Sequence, residues 1–116
     1  MSNDLKRKIG FQIAKARLSR GLTQEQLAEM VGRSPEAISN LERGKSYPEF
    51  ETLVSLTEHL HIGVSELFAD EPTPTGGRAR LILRVNALTG RLSDRILAVA
   101  VDQLEALGRL SERSED

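Results

Sequence analysis

The stretch Thr23–Gly44, TQEQLAEMVGRSPEAISNLERG, carries two short helices with separate start and stop signals. Thr23 is a good N-cap, and Gln26 three residues later completes a capping box in which each side chain satisfies a free backbone donor. Leu27, Ala28 and Val31 follow as one apolar stripe. Gly32 falls where the helix stop needs a left-handed residue, a conformation that costs glycine little. Ser34 caps the second helix, and Pro35 takes its first position, where a missing N–H is not felt. Ile38 and Leu41 are its inward face, and Gly44 ends it. Ala28 is small enough to let the second helix cross close to the first. The pattern predicts a short, angled pair, because an extended hairpin needs longer stripes. Any helical globular domain can contain such a pair. What sets this one apart is the outward row Glu36, Ser39, Asn40 and Arg43, which packing does not require.

Three linked stretches extend the pattern. Ile9–Ala28 reads IGFQIAKARLSRGLTQEQLA, Ile38–Pro48 reads ISNLERGKSYP, and Thr52–Phe68 reads TLVSLTEHLHIGVSELF. In this order the three resemble the Cro/C1-type helix-turn-helix family of bacterial and phage repressors, also called the Xre family, over about Lys8 to Phe68. The resemblance implies an all-α fold: a five-helix, lambda-repressor-like DNA-binding domain whose third helix, Ser34 to Arg43 here, enters the major groove.

The resemblance also implies roles. Arg17 pairs with Glu42, a partly buried link that fixes the reading helix; the alternative is that Glu42 is a solvated end-of-helix acid. Gln24, at the positive end of its helix, binds a phosphate. Asn40 is the candidate for base readout, bidentate to adenine. Glu36 either accepts from a cytosine amine or is a dipole-favoured acid in the first turn. Pro35 stands where relatives often carry a polar reader, so it offers only apolar contact, and readout there is weak or indirect. Arg33, Ser34, Ser39, Arg43, Lys45 and Ser46 are phosphate ligands that position without specifying sequence. Arg43 and Lys45 also fit as ordinary solvated charges.

Composition agrees with this reading. A chain of 116 residues suits one small domain and an appendage. No cysteine is present, which excludes disulfides and thiolate metal sites and suits a reducing cytoplasm. No apolar run approaches a membrane span, and the first twenty residues are basic and amphipathic without a signal-peptide core. Aromatics are only 3% of the chain, too few for stacking on single strands. The net charge of −1 hides an asymmetry: residues 1–48 carry nine Lys/Arg against five Asp/Glu, and the remainder is acidic. Position matters more than the total, so the basic half is the face expected to meet double-stranded DNA. No nucleophile–base set, phosphate loop or paired-carboxylate spacing points to an enzyme. No cofactor is expected. His59 and His61 read as a helix-terminal charge and a surface residue rather than metal ligands.

The first helix is expected from Asp4 or Leu5 to Ser19, with Ile9, Ile13 and Ala16 inward. Beyond Gly44, Phe50, Leu53, Leu56 and Leu60 form a stripe, and Val64, Leu67 and Phe68 are expected to close the core. The head domain is then residues 1–69, and 70–77, within ADEPTPTGG, is a linker by composition. Residues 78–116 lie outside the resemblance. Leu81, Leu83, Val85 and Ala87 alternate like a strand, while Leu81, Val85 and Leu88 fit a helix. A stronger helix starts at Ser93 or Asp94. Its apolar positions, including Ile96, Leu97, Ala100, Val101, Leu104 and Leu107, are too many for one buried side. Such a segment cannot form a core alone. The expectation is a dimerisation element built on these residues with Leu81, Val85 and Leu88, although a tail packed on its own head is the alternative. The function implied is a homodimeric repressor on a near-palindromic operator. The other reading is an antitoxin whose C-terminal face also binds a toxin.

Overall fold

The computed structural model describes residues 2–69 and 72–114 and is all-helical over them. The helices are α1 (Ser2–Ser19), α2 (Gln24–Val31), α3 (Pro35–Glu42), α4 (Phe50–Leu60), α5 (Val64–Leu67), α6 (Gly76–Thr89) and α7 (Asp94–Ser114). Local chemistry sets the ends of the central pair. Thr23 Oγ1 accepts from the Gln26 amide at 3.0 Å, and the Gln26 side chain accepts from the Thr23 amide at 2.8 Å. Gly32 stops α2 at φ 70°. Ser34 Oγ then accepts from the Ala37 amide at 3.1 Å, with Pro35 opening α3. Ser34 and Arg43 thus act as the caps of a helix whose hydrogen-bonded body is Pro35–Glu42.

One core joins the first five helices: Ile9 and Ile13 from α1, Leu27 and Ala28 from α2, Ile38 and Leu41 from α3, Leu56 and Leu60 from α4, and Leu67 from α5. Ile13, Leu27, Ile38, Leu56 and Leu67 are fully buried. Each such side chain stabilises the fold by about 1.5–3 kcal/mol relative to exposure. Gly10 explains how α1 approaches α3 so closely. A Cβ there would lie 2.3 Å from the Leu41 carbonyl oxygen and 2.7 Å from that of Glu42. Arg20 Nε donates to the Leu60 carbonyl at 3.1 Å, tying the end of α1 to the end of α4.

Three expected core positions differ. Phe50 is 77% exposed, because it opens α4 one residue off the buried row Thr52, Leu56, Leu60. Val64 and Phe68 are also exposed. α5 is a single turn, so it presents one residue inward, Leu67. His61 is the left-handed cap of α4, at φ 55°, and His59 Nδ1 lies 2.9 Å from the Ser55 carbonyl oxygen.

The C-terminal segment resolves into two helices with different fates. Residues 79–88, whose pattern fits helix or strand, belong to α6, which starts at Gly76. Of the expected linker, Asp70 and Glu71 lie outside the described residues, and Pro72–Thr75 is non-helical. α6 lies along α1 and runs in the same direction. Its start shares a cleft with Lys8 and Phe11, and near its end Asn86 Oδ1 accepts from Ser19 Oγ at 2.8 Å. Asn86 Nδ2 donates in turn to the Ile82 carbonyl, which fixes the amide's orientation. Gly90 is pressed onto Ser19: a Cβ there would sit 2.1 Å from the Ser19 carbonyl oxygen. α7, by contrast, packs lengthwise on no other described helix.

Candidate nucleic-acid interface

The angle of α3 is held by a charged cluster at its end. Arg17 Nε donates to Glu42 Oε2 at 2.6 Å, and a second guanidinium nitrogen donates to Oε1 at 3.0 Å. The third nitrogen donates to the Leu22 carbonyl at 2.7 Å, so all three guanidinium nitrogens are engaged. Gln24 Nε2 also donates to Glu42 Oε1, at 2.9 Å. The side chains of Arg17 and Glu42 are 11% and 5% exposed. A buried carboxylate in the last turn of a helix faces the negative end of the dipole, and this fork of donors is what makes it tolerable. The cluster joins α1, α2 and α3 at one point.

Outward from that point lies the polar face of α3 and its flanks. Pro35, Glu36 and Arg43 are exposed, and Ser39 and Asn40 are half-buried. Arg43 donates to Asn40 Oδ1 at 3.0 Å. Arg33 pairs with Glu49 at 2.9 Å, and both side chains are largely exposed. Such a pair contributes little to stability and is easily exchanged for another anion. The Ser34 hydroxyl is committed to its cap. Lys45 and Ser46 are exposed in the turn after α3. Arg33, Ser34, Pro35, Glu36, Arg43, Lys45 and Ser46 are thus open to solvent on α3 and in the turns that flank it, with Ser39 and Asn40 half-buried among them. Gln24 has part of its amide turned toward Glu42.

Two features of this face are absent from the sequence reading. The Asn40–Arg43 link is one; its i, i+3 spacing was the available signal. The second is Arg91, in the turn after α6, which lines the same cleft as Gln24 and Glu25. No spacing in the chain announces that approach.

The proposed dimerisation residues are uncovered. Leu81, Val85, Leu88, Ile96, Val101, Leu104 and Leu107 are exposed, and Leu97 and Ala100 are half-buried. Val99 and Leu110 of the same helix are exposed as well. Among the described residues no helix is long and apolar enough to cross a membrane, and no group of His, Asp and Glu could hold a metal ion.

Comparison with known proteins agrees with this architecture. Residues 13–67 match the helix-turn-helix family HTH_3. The uncharacterized HTH-type transcriptional regulator y4dJ of Sinorhizobium fredii is 36% identical over 76 residues, 65% of this chain and 99% of that protein. The HTH-type transcriptional activator BcrR of Enterococcus faecalis is 38% identical over 60 residues, 52% of this chain but only 29% of that protein. The crystal structure of the clp gene regulator ClgR of Corynebacterium glutamicum aligns with a TM-score of 0.52 and 25% identity, over 95% of this chain and 93% of that one. Its alignment reaches beyond the helix-turn-helix match into the C-terminal helices. The chain belongs to the Cro/C1-type, or Xre, helix-turn-helix family, and is a transcriptional regulator with a helix-turn-helix DNA-binding domain.

Proposed function

We propose that this regulator is a homodimeric, sequence-specific repressor that acts in the cytoplasm and inserts α3 into the major groove of a near-palindromic operator. The observation that carries the reading is the outward polar face of α3, held rigidly by Glu42, Arg17 and Gln24. A fixed helix presenting Asn40 and Glu36 to base edges can discriminate, whereas a loosely held one only binds backbone. Arg33, Lys45 and Ser46 supply phosphate contacts on either side. Gln24 does the same through its free amide hydrogen and the start of α2. Occupancy of an operator that overlaps a promoter is sufficient for repression, which is why that sign is assigned.

The apolar face of α7 calls for a second copy. Leu97, Val101 and Leu104 form one seam, and Ile96, Ala100, Leu107 and Leu110 form another beside it. Two adjacent seams suit a helix enclosed on two sides, as in a bundle of helices from two protomers. Burying the exposed half of each large aliphatic chain is worth about 1 kcal/mol. A two-fold arrangement of this kind presents two α3 helices to half-sites about one DNA turn apart.

Selection of bound duplexes from random DNA, with sedimentation of the free protein, tests both parts. The expected result is an enriched near-palindrome and a dimer that Leu104→Arg with Leu107→Arg converts to monomers. Absence of any enriched sequence refutes the reading, and a monomer selecting single half-sites refutes the dimer. A reporter under the selected operator reads the sign. A toxin on the α7 face would instead give a stable complex of two different chains.

A further inference from the structure

We infer that Arg43 orients the Asn40 amide so that this pair reads an acceptor-rich base edge, guanine before any other base. The inference rests on the DNA-reading role proposed for α3 and specifies its ligand.

Arg43 donates to Asn40 Oδ1 at 3.0 Å. A guanidinium has five N–H groups and no acceptor, so only the oxygen of the amide can face it. The usual ambiguity between amide oxygen and nitrogen is thereby settled by chemistry. The Asn40 Nδ2 group and the other N–H groups of Arg43 are not used by this bond and remain as donors. Arg43 is exposed and makes no ion pair among the described residues, so its charge stays at the surface. Together the two side chains present donors almost exclusively.

The four bases answer such an edge differently. Guanine offers two acceptors in the major groove, O6 and N7. Thymine offers one, O4. Adenine pairs bidentately with an asparagine only by giving its amine hydrogen to Oδ1. One lone pair of Oδ1 remains, but an amine reaching for it meets the N–H groups of Arg43, donor against donor. The cytosine amine meets the same obstacle with no neighbouring acceptor to offset it. Guanine is therefore favoured, and the bidentate adenine contact open to a free asparagine is closed. Arg43 acts here as a positioning residue, and removing it should change which base is preferred as well as how tightly the site is held.

The test is selection from random duplex DNA with the native full chain, Asn40→Ala and Arg43→Met. Arg43→Met keeps the aliphatic stem of an exposed side chain and removes every donor. The base pair read by Asn40 is the one whose preference collapses in Asn40→Ala. We expect guanine there in the native protein, and a shift of the guanine-to-adenine ratio toward adenine by about tenfold in Arg43→Met. A second measurement needs no variant: 7-deazaguanine at that position, lacking the N7 acceptor, should weaken native binding about fivefold or more. Adenine preferred by native and Arg43→Met proteins alike, or indifference to 7-deazaguanine, overturns the inference while leaving operator binding intact. Failure of the native chain to enrich any sequence overturns the DNA-reading proposal itself, and the inference with it.

Discussion

Removing Arg17 should damage this protein more than removing Glu42, although the two share the same ion pair. Breaking a buried pair by deleting one partner costs about 3–5 kcal/mol, because the other charge is left uncompensated. Here the two survivors are not equivalent. In Arg17→Ala, Glu42 is a short side chain, 5% exposed, at the negative end of α3, with only the Gln24 amide still donating to it. It cannot swing into water without unravelling the last turn. In Glu42→Ala, Arg17 keeps its bond to the Leu22 carbonyl, and its long stem lets the charge slide toward solvent. Arg17→Ala should therefore fall at the top of that range and Glu42→Ala at or below its bottom. A small domain loses about 4–8 °C in melting temperature per kcal/mol, so Arg17→Ala should melt about 20 °C lower or more. Thermal unfolding followed by far-ultraviolet circular dichroism reads both variants. Replacing both residues by apolar ones, Arg17→Met with Glu42→Leu, should recover most of the loss, since no charge is stranded. Single variants within about 0.5 kcal/mol of the native protein, the scatter typical of surface substitutions, would refute a stabilising buried pair. Glu42→Ala as the more damaging change would refute the account of which charge is trapped.

Gly10→Ala places a methyl 2.3 Å from the Leu41 carbonyl, so α1 and α3 must separate; overpacking of this kind costs about 1–3 kcal/mol, and operator affinity should fall with the melting temperature. Lys45→Ala should leave stability unchanged and weaken all DNA sequences alike, reducing the salt slope of binding by about one, as read by titration at several salt concentrations. Gly90→Ala puts its Cβ 2.1 Å from the Ser19 carbonyl and should pry the end of α6 from α1; binding to operators with half-sites moved one base pair apart or together should then discriminate less than in the native protein.

The head domain was largely legible because its determinants are local. Caps, the proline at the first position of α3 and the apolar period each act within a few residues of the chain, so Thr23, Ser34, Pro35, Ile38 and Leu41 disclose their places directly. Phe50 misled because hydrophobicity marks a residue as able to be buried, while helix phase decides whether it is. Thr52 takes the inward position two residues on. The Gln24–Glu42 bond spans 18 residues and depends on how α2 crosses α3, so no spacing rule announces it. The docking of α6 left even less trace. It relies on Ser19, Asn86 and Gly90, a hydroxyl, an amide and a missing side chain, none of which contributes to an apolar period. Meanwhile Leu81, Val85 and Leu88, which dominate the α6 pattern, face away from α1 into solvent.

That division of α6 into a docked side and an open side has a mechanical consequence. Ser19, which holds α6, lies two residues from Arg17, which holds α3. Both contacts leave the last turn or so of one continuous helix, so the segment after Thr75 and the reading helix are fastened to the same short stretch of α1. If α7 joins two protomers as proposed, the separation of their α3 helices is set through α6, α1 and the Arg17–Glu42 pair in series. Each link is a close contact with little slack: a hydroxyl-to-amide bond of 2.8 Å, a glycine with no room for a Cβ, and a forked ion pair. Packed contacts of this sort have discrete arrangements and do not deform continuously. The head alone can then recognise a half-site, but the distance between half-sites is written in residues outside the helix-turn-helix. A change at Asn86 or Gly90 should alter operator spacing while leaving the base preferences of Asn40 and Glu36 unchanged, and a change at Arg17 should alter both.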